Sequence, residues 1–156
     1  MAAKPEPLTA GTHAPDFAVS TADGQRVSLS ALKGQKVALY FYPKDDTPGC
    51  TKQACNLRDN LSALSDAGIA VIGVSPDDNT SHAAFTAKYD LTFPLVADPK
   101  LEISNAYGVW GEKQNYGKTY MGLQRTTFLI DEDGVIQHVF KRPKTADHTA
   151  EILSKL

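Results

Sequence analysis

Cys50 and Cys55 are the two cysteines of this chain, and they follow directly on Thr47-Pro48-Gly49. A cysteine does chemistry as its thiolate, which is a nucleophile toward electrophilic sulfur or oxygen. Thr47-Pro48-Gly49 is a helix-opening sequence, so Cys50 falls in the first helical turn. There the unpaired backbone N–H groups and the helix dipole favour an anion, and with it the thiolate. A small core cysteine at the end of an apolar stripe is the ordinary alternative, but the Thr-Pro-Gly approach favours the reactive one.

The elements that must position Cys50 can be read on either side of it. Val37-Ala-Leu-Tyr-Phe-Tyr42 is a short apolar run rich in aromatic residues, which predicts a buried strand ending at Pro43. Lys44-Asp45-Asp46-Thr47 is a polar loop. Thr47 suits an N-cap, Pro48 the first helical position, and Gly49 leaves backbone amides open to approach. Cys50, Ala54, Leu57, Leu61 and Leu64 then form one face of an amphipathic helix predicted to run to Ala67-Gly68. Five helical residues turn a side chain by about 140° and advance it by about 7.5 Å. That puts the two cysteine Cα atoms ~8–9 Å apart, beyond the ~7 Å reach of a disulfide. If they pair, the first turn must unwind; if they do not, Cys55 is a bystander thiol near Thr51, Arg58 and Ser62.

Composition narrows the setting. At 156 residues the chain fits one domain, 1–156, with residues 1–11 as a loose lead-in rich in proline and alanine. Net charge is -2 with both signs interspersed, and no basic strip points to nucleic acid. Neither a signal-peptide core nor a membrane-length apolar run is present, which makes a cytoplasmic protein the expectation. Two cysteines are too few for a secreted disulfide framework, and their spacing does not make a zinc site, so no metal is expected. His13, His82, His138 and His148 are scattered and read as surface or capping histidines.

The rest of the chain reads as an α/β domain. Asp16–Ser20 and Arg26–Leu29 flank Asp23-Gly24 as an N-terminal hairpin, and Ser30–Gly34 is a short turn. Ile69–Ser75 is a second buried strand, so strand, helix and strand make a parallel pair with the active loop at its carboxyl edge. Asp77-Asp-Asn-Thr caps a helix that ends before Leu91; Leu95–Ala97 is a strand, and Pro99–Ala106 a short helix. Tyr107–Gly122 reads as a long loop with Trp110, Tyr116, Tyr120 and Met121. Thr126–Ile130 and Val135–Phe140 form a hairpin about Asp133-Gly134, which makes the sheet mixed, and a helix from Ala146 to Leu156 closes the domain.

Pro43-x-x-x-Thr47-x-x-Cys50 resembles the active-site signature of the peroxiredoxins, and Phe41 to Cys55 as a whole is similar to the peroxiredoxin Q, or bacterioferritin comigratory protein, subfamily. The resemblance extends through Ala14-Pro-Asp-Phe17, Gly73-Val-Ser75, Phe93-Pro-Leu95 and Arg125-Thr-Thr-Phe-Leu-Ile-Asp131, nearly the whole chain. It implies a thioredoxin-like fold with a central mixed β-sheet flanked by helices and an N-terminal β-hairpin. It also implies a peroxidatic Cys50, a resolving Cys55, Thr47 and Arg125 as activating partners, and Pro43 and Gly49 at the substrate pocket.

The activity so implied is reduction of hydrogen peroxide and organic hydroperoxides by a monomer without cofactor, recycled by thioredoxin or a similar dithiol donor. Some relatives carry a resolving cysteine in the second helix; this chain has none there. The Cys50 thiolate would attack the terminal peroxide oxygen to give a sulfenic acid. Two rivals fit a reactive cysteine on such a scaffold. One is a thiol–disulfide oxidoreductase, for which a C-x-x-C is missing; the other is a redox sensor or holdase whose oxidised helix unwinds to expose Leu57 to a partner.

Overall fold

In the computed structural model, which describes residues 3–156, alternation along one strand organises the whole domain. Strand β3 (Lys36–Phe41) sends Val37, Leu39 and Phe41 into one buried cluster and Ala38 and Tyr40, followed by Tyr42, into another on the opposite face. A strand with apolar residues on both faces has to be central. β3 accordingly lies in the middle of a five-stranded sheet of order β5-β4-β3-β8-β9. Here β4 is Ile69–Ser75, β5 Leu95–Ala97, β8 Thr126–Ile130 and β9 Ile136–Phe140. β3, β4 and β5 are parallel, while β8 runs antiparallel to both β3 and β9, so the sheet is mixed as expected.

Helices cover both faces. α1 (Pro48–Asp59), α2 (Leu61–Asp66), α3 (Asn79–Tyr89) and α5 (His148–Leu153) contribute Leu57, Leu64, Phe85 and Ile152 to one cluster. On the other face lie α4 (Glu102–Ala106), the N-terminal hairpin of β1 (Ala18–Ser20) and β2 (Arg26–Ser28), and a second hairpin. Asp78 caps α3 by accepting from the Ser81 N–H at 2.9 Å, and Asp90 ends it in the left-handed conformation, as the sequence signals required.

Five expectations are corrected. The helix expected to run unbroken to Ala67-Gly68 breaks at Asn60, where the backbone leaves helical values and the side-chain amide donates to the Asn56 carbonyl at 2.8 Å. Pro99 precedes its helix: α4 starts at Glu102, capped by Asp98, which accepts from the Ile103 and Ser104 N–H groups. The closing helix is α5, shorter than Ala146–Leu156.

The Tyr107–Gly122 loop is largely a hairpin of β6 (Trp110–Asn115) and β7 (Lys118–Leu123). Its turn residues Tyr116 and Gly117 have φ of 51° and 76°, the two-residue geometry whose twist suits paired strands. The lead-in is not loose where it is described; Met1 and Ala2 lie outside the described residues. Ala3 accepts from the Glu112 N–H at 2.9 Å, Leu8 donates to the Tyr107 carbonyl at 3.1 Å, and Gly11 to the Ile136 carbonyl at 2.8 Å. Gly108 and Gly111 make this possible, since a Cβ on either would lie 2.1 Å from Glu6 O or 2.6 Å from Pro5 N.

Candidate active site

Strand β3 delivers the loop of residues 43–47 to the carboxyl edge of the sheet, and α1 opens from it with Thr47 extended at the N-cap and Pro48 at N1. Cys50 in the first turn is 1% exposed and lies in the same cluster as Ala54, Leu57 and Tyr40. Its Sγ accepts from Arg125 Nη2 at 3.2 Å, while Arg125 Nη1 donates to Gln53 Oε1 at 2.5 Å.

Arg125 is placed from the far side of β3. β8 starts at Thr126, which pairs with Phe41, so the residue just before β8 faces the loop that has just left β3. The Gln124 N–H bonds the Val109 carbonyl at 2.8 Å and fixes the approach. Gly49 completes the fit, because an added Cβ would stand 3.3 Å from Arg125 Nη2. The guanidinium thus lies across the first turn of α1, with one branch on the sulfur and the other on Gln53.

Of the residues singled out in the sequence, the fold brings Cys50, Gly49 and Arg125 together. The Thr47 hydroxyl donates instead to the Lys44 carbonyl at 2.9 Å, so it braces the loop rather than capping the helix. Pro43 is exposed at the start of the loop. Cys55 is half-buried on the same unbroken helix as Cys50, and both thiols are free. Gln53 escaped the sequence reading, although its position one turn after Cys50 is the signal that could have found it. Its side chain is fully buried, and its Nε2, like the Tyr40 hydroxyl, has no protein partner among the described residues. Burial pushes the Tyr40 hydroxyl well above its ordinary range, and the neighbouring Cys50 adds to the shift.

The chain is tied down on both sides of the cysteines. Upstream, Asp46 accepts from Lys88 Nζ and the Tyr89 hydroxyl, each at 2.7 Å, and these partners hold its carboxyl below the usual carboxylate range. Downstream, the Asn56 amide donates to the Ala146 carbonyl at 3.1 Å and accepts from the Thr149 N–H at 2.8 Å. Arg58 Nη1 donates to the Tyr89 carbonyl at 2.6 Å. Cys50 and Cys55 both lie between these ties.

Two of the four histidines correct the expectation of surface roles. His82 and His148 are buried: His82 faces Asp45, and His148 joins Glu151 to the Thr127 hydroxyl. Among the described residues, Asp45, Asp77 and His82 bring three potential metal-ligand atoms within 4.8 Å of one another. Those atoms are committed to hydrogen bonds, with Tyr42, Ser81, Ser75, the Asp45 N–H and each other, so the cluster reads as an anchor of the loop.

The sequence profile of the AhpC/TSA family matches residues 10–139. Peroxiredoxin Bcp of Escherichia coli K12 is 47% identical over 150 residues, covering 96% of both chains. A structure of Xanthomonas campestris peroxiredoxin Q superposes with a TM-score of 0.86 at 36% identity, over 93% of this chain and 94% of that one. The bacterioferritin comigratory protein of the same organism, studied for its alkyl peroxide reduction activity, superposes with a TM-score of 0.85 at 35% identity, over 93% and 95%.

Proposed function

This chain belongs to the AhpC/TSA family as a peroxiredoxin of the Bcp and peroxiredoxin Q kind, and on that premise we propose how its residues divide the peroxidase reaction. Cys50 is the peroxidatic residue. Its thiolate attacks the terminal peroxide oxygen, the O–O bond breaks, and the leaving alkoxide or hydroxide takes a proton to depart as alcohol or water. Cys50 is left as a sulfenic acid. The observation that carries this reading is the Arg125 guanidinium 3.2 Å from Cys50 Sγ at a helix N-terminus.

A bare thiolate gains little by being a weaker base, since nucleophilicity falls with basicity. Rate must come from donors already aimed at the charge that develops on sulfur and on the departing oxygen. Arg125 offers that fixed set of donors. Gln53 holds the second branch of the fork, so the guanidinium keeps its orientation as the sulfur changes charge. Gly49 admits the guanidinium, the Thr47 brace shapes the loop, and Pro43 shields the outer rim.

The Cys55 thiolate then attacks the Cys50 sulfenic sulfur, forming an intramolecular disulfide and displacing hydroxide, which takes a proton from solvent to leave as water. α1 must unwind between the ties at Asp46 and Asn56 for this bond to close. An external dithiol, thioredoxin or a protein like it, reduces the disulfide and restores both thiols. Since the resolving thiol is on the same chain, a monomer suffices. No described helix is long and apolar enough to cross a membrane. A disulfide that must be reduced in every cycle suits a reducing compartment, and so a cytoplasmic setting.

The deciding experiment mixes reduced protein rapidly with substoichiometric hydrogen peroxide and maps the quenched product by mass spectrometry. Fast stoichiometric conversion to a Cys50–Cys55 disulfide is the expected result. Oxidation at the rate of an ordinary thiol, with redox-dependent capture of a partner, would transfer the function to sensing.

A further inference from the structure

Asp45 sits in an exposed loop, yet its side chain is 3% exposed and its partner His82 1%. Asp45 Oδ1 accepts from the Tyr42 hydroxyl at 2.6 Å, and Oδ2 accepts from Ser81 Oγ at 2.8 Å and lies 2.7 Å from His82 Nδ1. His82 Nε2 is 3.0 Å from the Val96 carbonyl. A carbonyl can only accept, so Nε2 carries a hydrogen, and a further proton lies on the line between Nδ1 and Oδ2. The Asp45 N–H donates to Asp77 Oδ2 at 2.8 Å, an oxygen that also accepts from Ser75 Oγ. One loop residue is thereby fastened to α3, to β5 and to the end of β4.

Buried polar groups with every bond satisfied rigidify what they join. Two residues separate Asp45 from Pro48, where α1 begins; the tie at Asp46 between them is exposed, and past the Arg125 contacts with Cys50 and Gln53 the next tie to the rest of the fold comes at Asn56. We propose that Asp45 and His82 are positioning residues with two effects on the reaction. They hold the loop so that Cys50 stays against Arg125, and they fix the upstream limit of the segment that unwinds when Cys50 joins Cys55. The inference rests on the peroxidase reading above. It separates two steps that act oppositely on the same segment: peroxide reduction needs the loop held, whereas disulfide closure needs the helix released.

The test times both steps by rapid quench and mass spectrometry, in wild type, His82→Leu and Asp45→Asn, with melting temperatures alongside. His82→Leu should slow Cys50 oxidation by about tenfold, as expected when a reacting group loses its fixed geometry, while disulfide closure is as fast as in wild type or faster. Asp45→Asn rescues the geometry without the charge. Its carbonyl can accept from Tyr42 and its amide can donate to Ser81 Oγ and His82 Nδ1, so oxidation should stay within about twofold of wild type.

A downfield, slowly exchanging Nδ1–H of His82, on its bond to Asp45, should appear in the proton NMR spectrum of wild type and vanish in both variants, while the Nε2–H that donates to Val96 persists in Asp45→Asn. Should His82→Leu not fold, His82→Gln, which can donate to Asp45 or to Val96 but not to both, takes its place with the same expected split. Wild-type oxidation in His82→Leu, an equal loss in both steps that follows the fall in melting temperature, or Asp45→Asn as slow as His82→Leu would each overturn the clamp. Slow oxidation of wild type itself would overturn the peroxidase reading instead.

Discussion

Arg125 is the residue on which the rate should depend most visibly. Arg125→Ala leaves the Cys50 sulfur without its fixed cation, and loss of one preorganised donor of this kind commonly costs about 100–1000-fold. Rapid-mixing oxidation of Cys50 should fall by that order while the circular dichroism spectrum is unchanged. Arg125→Lys keeps the charge but has no second branch for Gln53, so it should recover only part of the rate. Gln53→Leu should give a smaller loss than Arg125→Ala, because the charge is still there but no longer aimed. At this scale much of the site was legible. Thr47, Pro48, Gly49 and Cys50 are adjacent in sequence, and a local pattern can be read locally. Gln53 was missed because glutamine on an apolar stripe looks like a solvated residue until Arg125, brought in from β8, gives it a partner. Thr47 was read as a cap, yet the Lys44 carbonyl takes its hydroxyl, a competition that only the folded loop decides.

On the proposed cycle, helix α1 has to be two things. Whole, it holds Cys50 on Arg125; unwound, it lets Cys50 reach Cys55. The Asn56 amide ties mark where unwinding should stop, so amide hydrogen exchange in the disulfide form should rise sharply over residues 48–55 and change little past Asn56. Cys55→Ser should allow one fast oxidation and then stall coupled turnover, with Cys50 driven on to sulfinic acid by excess peroxide. Intact mass spectrometry after each addition of peroxide reads this directly. Elements with strong local signals were legible, β3 and β4 above all. The break at Asn60 was not, since the apolar stripe continues through it to Leu64 and the cause is one side chain donating to Asn56. The β6–β7 hairpin was missed for a related reason: its outer half, Gln114 to Tyr120, is exposed and carries little of the alternation that marks a half-buried strand.

Across the whole molecule, α5 is joined to the sheet through His148. Burial holds this histidine below its ordinary value of 6.5, although its bond to Glu151 opposes the shift. The unfolded chain therefore takes up a proton near pH 6.5 that the folded chain refuses. Stability is fully present above that pH and should be lost progressively as pH falls below it. Denaturant midpoints measured between about pH 5 and 7.5 should show this acid limb, and His148→Gln should flatten it, because glutamine can bridge Thr127 and Glu151 without titrating. The parallel β3–β4 pair, the β8–β9 hairpin and the mixed character of the sheet followed from the strand pattern, but His148 and His82 did not read as buried. Their partners Thr127, Glu151 and Asp45 are polar and, for Thr127 and Asp45, distant in sequence, so nothing local announces the burial.

The segment that begins at Ala3 runs beside β6, with Glu112 donating to it, and Gly108 and Gly111 let the two chains approach. It covers what would otherwise be an open strand edge, the usual place where one protein molecule pairs with another. Removing residues 3–8 would leave the Glu112 N–H and the Tyr107 carbonyl unpaired, beside an outer hairpin that already exposes Tyr116, Tyr120 and Met121. Such a shortened chain should self-associate as concentration rises, visible in light scattering, while its Cys50 site on the opposite face of the sheet still reacts with peroxide. On this expectation residues 3–8 guard solubility, and a purification tag that displaces them should cost the protein its resistance to aggregation before it costs any activity.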